Sequence, residues 1–130
     1  MVRQDRRRTR FRLSLLRRHS TFPRVVSSRV RIFEKAARIA GTWEAAIHDI
    51  RSAGGVVRDI RNLGLLGAVE IEATPNAHGQ RARAVANHCL ENGVFVRALG
   101  DTLILSPPLV INEAQIGQIA EGIKNGVRTL

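Results

Sequence analysis

Few side chains in this 130-residue sequence could do chemistry, and their spacing decides most cases. Arg97 closes the run GVFVR at 93–97, just ahead of ALGD at 98–101, and on its own an arginine at a strand end reads as a solvated charge. Lys35 and Lys124 are the only lysines, and both fall on helix faces expected to be exposed. His48, His78, His88 and Cys89 lack metal-ligand spacing, because the adjacent His88 and Cys89 point to different faces of a helix. Cys89 falls on an apolar helix stripe, the place of a buried, inert thiol. Ser106 has no G-x-S-x-G context and no nearby His–Asp pair to activate it. Gly64-x-x-Gly67 is too short for a phosphate loop and lacks the lysine such loops use. Arg58, Asp59 and Arg61 read as a surface ion-pair strip.

The elements that must position these residues follow from periodicity. From Val30 to Ser52 the apolar positions Phe33, Ala36, Ala37, Ala40, Trp43, Ile47 and Ile50 keep to one side of a helix. Gly54-Gly55 should end it with positive φ. Val56–Arg61 and Leu65–Glu72 read as strands around a turn or bulge at Asn62-Leu63-Gly64, with a bulge or close packing at Gly67. Gly79–Asn92 is the clearest helix, with Ala82, Val85, Ala86, Cys89 and Leu90 on its inner face and a stop at Asn92-Gly93. Val94–Arg97 and Thr102–Leu105 read as a hairpin, ended by Ser106-Pro107-Pro108 because proline offers no N–H to a ladder. Asn112 with Gln115 at N3 predicts a capping box for a last helix striped by Ile116, Ile119, Ala120, Ile123 and Val127. The order α-β-β-α-β-β-α predicts an α+β layer, a short mainly antiparallel sheet with helices on one face.

Composition places the charge. The net +10 comes from residues 1–31, which hold eleven arginines against the single acid Asp5, while residues 32–130 hold ten basic and ten acidic side chains. The folded part is therefore neutral, and residues 1–29 read as a disordered Arg-rich tail. That tail admits three readings: a nucleic-acid or phosphate-binding arm, an organelle-targeting peptide, or a leader without a function of its own. A lone cysteine fits a reducing compartment, and no apolar run is long enough for a membrane-spanning helix.

The phrases DIRNLGLLGAVE at 59–70 and GDTLILSPPL at 100–109, with the helix between them and the capped helix after, carry a family resemblance. Residues 33–130 resemble the C-terminal small domain of class III pyridoxal-phosphate-dependent aminotransferases, fold-type I enzymes, and within them the ω-amino acid (β-alanine):pyruvate aminotransferases. The resemblance implies a domain spanning residues 30–130, pyridoxal 5′-phosphate as cofactor, an amino acid or amine and pyruvate as substrates, a homodimeric parent and a cytoplasmic location. It implies that Arg97 is the arginine that binds the substrate carboxylate, a task suited to a planar fork that meets both oxygens. It also implies a chain without the large domain that carries the cofactor's lysine, so that it should not transaminate alone. The expected alternative is a relic α+β domain whose basic arm makes it a nucleic-acid or anionic-surface binding module.

Overall fold

The computed structural model describes residues 22–130, and the side chains of residues 30–130. The elements are α1 (Phe22–His48), β1 (Val57–Leu63), β2 (Leu66–Ile71), α2 (Gln80–Glu91), β3 (Arg97–Leu99), β4 (Thr102–Leu105) and α3 (Glu113–Arg128), with a 3-10 turn at Asp49–Ala53. This is the expected α-β-β-α-β-β-α order. The strands form one antiparallel sheet in the order β1-β2-β4-β3.

The sheet is organised in rows across its strands. Ile60, Val69, Leu103 and Ala98 lie opposite one another and face the helices. Side chains alternate along a strand, so the flanking rows point the other way: Arg61–Ala68–Ile104–Arg97 and Asp59–Glu70–Thr102–Leu99. The helix-facing rows pack on Trp43, Ile47 and Ile50 from α1 and its 3-10 turn, on Val85 and Cys89 from α2, and on Ile116 and Ile123 from α3. The three described helices thus cover one face, and among the described residues the other is open. The capping box of α3 forms as its spacing predicts: Gln115 N–H donates to the Asn112 side chain at 2.9 Å and Asn112 N–H to the Gln115 side chain at 3.1 Å.

Several boundaries differ from the sequence reading. The first helix begins at Phe22, not Val30, so part of the stretch expected to be disordered is helical. The expectation for residues 1–21 lies outside the described residues. Phe33 and Ala37 are exposed, although Ala36 between them in the stripe is buried. The positive φ expected at Gly54-Gly55 is absent; Gly54 at φ 171 is simply extended. Asn62 and Leu63 belong to β1, the hairpin turn being Gly64-Leu65, and the irregular step falls between Val57 and Asp59. Gly67 pairs regularly, and its meaning is close packing: a Cβ there would stand 3.1 Å from Ile47 Cδ1. Residues 94–96 pair with no strand, although Val94 and Val96 are buried. Leu90, expected inside, is exposed.

Candidate functional site

Arg97 opens β3, an edge strand, and its row places it on the open face of the sheet. Its side chain is exposed and, among the described residues, has no hydrogen-bond or ion-pair partner. The surroundings explain why. Its neighbours in the row are Ile104 and Ala68, which carry no charge. The acids of this face sit on β1 and on or just past β2, two to three strand spacings or about 10–14 Å away, and are already paired. Arg61 lies 3.4 Å from Asp59 and 3.5 Å from Glu70, and Arg58 lies 2.9 Å from Glu72. The ion-pair strip read from Arg58, Asp59 and Arg61 is therefore present.

The hairpin carrying Arg97 is clasped at its other end. Gly79 N–H donates to Asp101 Oδ1 at 2.6 Å, His78 Nδ1 lies 3.3 Å from Oδ2, and Ile71 N–H donates to the Asp101 carbonyl at 2.8 Å. One residue thus ties the β3–β4 turn to the start of α2 and the end of β2. The Gly79 N–H, helped by His78, holds the Asp101 carboxyl below the usual carboxylate range against the opposing effect of partial desolvation. Sequence reading passed over this clasp. Its only trace is an Asp after Gly in a two-residue hairpin turn, a common turn residue.

The remaining candidates fall into structural roles. Lys124 is buried, contrary to expectation, and pairs with Asp49 and with Glu121, the latter at 2.8 Å. These acids raise its pKa, Asp49 first, and the same contact lowers that of Asp49. Cys89 is buried as expected, and burial pushes its thiol up to about 11. His48 Nε2 meets Asn62 Oδ1 at 3.0 Å and His88 Nε2 lies 3.5 Å from Asn92 Nδ2, and no cluster of three metal-ligating side chains forms among the described residues. Ser106 is exposed beside Pro107. The residues present do not fit pyridoxal phosphate: Lys35 stands on an exposed helix face, Lys124 is held by two acids, and Gly64 and Gly67 belong to a β-hairpin.

The Aminotransferase class-III family model matches residues 25–127. The chain belongs to the class III aminotransferases. The match begins slightly before Phe33, where the sequence resemblance starts, and takes in part of α1. The chain is 39% identical over 93 residues to an omega-aminotransferase of Caulobacter vibrioides, covering 72% of this chain and 21% of that protein. It is 26% identical over 98 residues to a beta-alanine–pyruvate aminotransferase of Pseudomonas aeruginosa, covering 75% of this chain and 22% of that one. A thermostable omega transaminase variant from Pseudomonas jessenii superposes with a TM-score of 0.72 at 27% identity, over 81% of this chain and 24% of that chain. The α+β fold is therefore that of a fold-type I transaminase domain. This class III chain spans about a fifth of the length of the relatives it matches.

Proposed function

We propose that this chain is the small C-terminal domain of a transaminase that moves an amino group from an ω-amino acid such as β-alanine, or an amine, to pyruvate. In this reading Arg97 binds the substrate carboxylate. The observation that carries it is the state of Arg97: exposed, on the open sheet face, and without an acid to neutralise it among the described residues. Arg58 and Arg61 share the face but are engaged by carboxylates of the protein itself. A guanidinium left unpaired is available to a carboxylate from outside, and the β3–β4 hairpin, clasped by Asp101, fixes where it stands. The family's cofactor, pyridoxal phosphate, supplies the amino-group chemistry, and its binding belongs to the portion of the relatives that this chain does not span. The parent is read as a cytoplasmic homodimer.

The test replaces the matching segment of the Caulobacter vibrioides omega-aminotransferase with residues 25–130 of this chain. A charge-assisted, bidentate contact contributes about 1.5–3 kcal/mol, so Arg97→Ala should raise KM for pyruvate by about ten- to a hundredfold. Arg97→Lys should recover part of that loss, and KM for an amine donor without a carboxylate should stay unchanged. An unchanged KM for pyruvate removes Arg97 from the site.

A further inference from the structure

The carboxylate site makes no use of the cationic end of the chain. Residues 1–38 hold thirteen basic side chains against the acids Asp5 and Glu34, while residues 39–130 hold eight against nine. The excess charge therefore does not stop at the tail but runs into α1. There the positions Arg24, Arg31, Lys35 and Arg38 follow one another at intervals of seven, four and three residues. At 100° per residue that spacing sets all four within about 60° of one another around the helix, in a row about 21 Å long. Lys35 and Arg38 are exposed and, among the described residues, have no hydrogen-bond or ion-pair partner. Other cations of the chain are treated differently: Arg58, Arg61, Arg81 and Lys124 are each paired with a carboxylate. One acid, Glu34, stands beside the row. Ala36, Trp43 and Ile47, which fasten α1 to the core, lie about a third of a turn away, so Lys35 and Arg38 keep facing water.

We propose that α1 and the arginine-rich segment before it form a docking surface for the phosphate backbone of a nucleic-acid duplex. A row about 21 Å long spans about six base-pair steps of 3.4 Å. Arginine supplies twelve of the thirteen charges, and its planar fork meets two phosphate oxygens at once where lysine offers a point charge. Aromatic residues are scarce: residues 1–38 hold only Phe11, Phe22 and Phe33, and the chain has no Tyr. Single-strand binding relies on stacking rings, so this surface suits a duplex held by its backbone, without preference for sequence. An anionic membrane fits less well. Lipid insertion needs an apolar helix side, and from Ala36 on the core takes that side of α1. The remainder of the chain, with one acid in excess, adds no attraction of its own, so affinity comes from this end alone. The surface lies on α1 and not on the sheet, and it stands apart from the carboxylate role proposed for Arg97.

The test measures fluorescence anisotropy of a labelled mixed-sequence DNA duplex of about 20 base pairs with the full chain, at salt concentrations from about 50 to 200 mM. Each phosphate neutralised contributes about 0.9 to the slope of log affinity against log salt. With the row and at least two arginines of the preceding segment engaged, affinity should fall about a thousandfold or more over that range. Lys35→Gln with Arg38→Gln should make the slope shallower by about 1.8, and Lys35→Arg with Arg38→Lys should leave it unchanged. Should the glutamine pair fold poorly, Arg38→Gln alone decides, with a change of about 0.9. Arg51→Gln with Arg83→Gln removes the same charge from exposed positions outside the row and should leave the slope as it was. A chain that does not bind at the lowest salt overturns the proposal. Equal slope changes in the two glutamine pairs also overturn it, because they reduce the effect to net charge. Binding to vesicles of phosphatidylserine and phosphatidylcholine with none to the duplex overturns it in favour of a membrane. A second duplex of unrelated sequence should bind equally, and a preference of about tenfold or more overturns recognition by the backbone.

Discussion

Gly79 and Gly93 bracket α2, and together they separate two costs usually confounded. Both lie in the left-handed region, at φ 76 and φ 80. An alanine in that region costs roughly 1–2 kcal/mol wherever it stands. At Gly93 an added Cβ meets nothing within 4 Å, whereas at Gly79 it stands 3.0 Å from the Gly100 carbonyl oxygen. That oxygen is backbone, in the turn that Asp101 clasps to the Gly79 N–H, and it cannot rotate away. Relief requires the turn to move and the 2.6 Å hydrogen bond to lengthen. Overpacking of this kind adds about 1–3 kcal/mol. Gly93→Ala should therefore cost about 1–2 kcal/mol and Gly79→Ala about 2–5 kcal/mol.

For a domain of about a hundred residues, each kcal/mol lowers the thermal midpoint by about 4–8 °C. Far-UV circular dichroism melts of the full chain, repeated in urea, measure both losses. The double variant Gly79→Ala with Asp101→Asn adds a check. If the clash acts through the turn, the two losses should fall short of additivity, because either one alone loosens the clasp. Equal losses for Gly79→Ala and Gly93→Ala would refute the close approach and leave only the backbone cost.

The other expectations concern titratable groups. Asp101 has its pKa lowered in the folded state, so its contribution is present above about pH 4 and is lost as the pH falls through the lowered value. Asp101→Asn should therefore be less stable than the parent at neutral pH, with the gap closing in acid; a gap of constant size would show that the carboxylate's charge plays no part. Lys124 has its pKa raised, so its contribution is complete below about pH 10 and is lost as the pH rises through the raised value. Lys124→Met should cost about 1 kcal/mol at neutral pH, since Asp49 and Glu121 are 58% and 57% exposed and solvent screens the pair. Its stability curve should be flatter in alkali than the parent's, and a curve that stays as steep would contradict the pairing. Cys89, with its thiol pushed up to about 11, should be alkylated at least about a hundredfold more slowly at pH 8 in the folded chain than in denaturant. Equal rates would show an accessible thiol.

Much of this fold was legible because its signals are local. Ala82, Val85, Ala86 and Cys89 repeat with the helical period and are all buried. Asn112 and Gln115 are three residues apart, and a capping box needs nothing else. What escaped the sequence depends on partners distant along the chain. Leu90 continues the stripe of α2, yet the face that the sheet and α3 cover is narrower than the stripe, and Leu90 stays in water. Lys124 falls between buried Ile123 and Gly126, but only the 3-10 turn after α1 brings Asp49 to it. Val94 and Val96 alternate as a strand would and are buried as a strand would be. No neighbouring backbone lies in register with them, so the ladder begins only at Arg97.

The strand arginines show where residue type stops being informative. Arg58, Arg61 and Arg97 read alike in the sequence, each an arginine in or at the end of a strand. Register separates them. Arg61 and Arg97 stand at opposite ends of one row, with Ala68 and Ile104 between. The row beside it puts Asp59 and Glu70 at the Arg61 end and Thr102 and Leu99 at the Arg97 end. One guanidinium is neutralised by the protein, and the other faces a half-sheet of uncharged side chains. A solvated cation is compatible with this arrangement, and the carboxylate receptor proposed above would depend on it. An acid of the protein beside Arg97 would compete with the ligand for the same donors, and a charged neighbour on Ile104 or Leu99 would keep water in the site and weaken the contact. The apolar half of the open face is thus the environment that the carboxylate-binding role proposed for Arg97 would require.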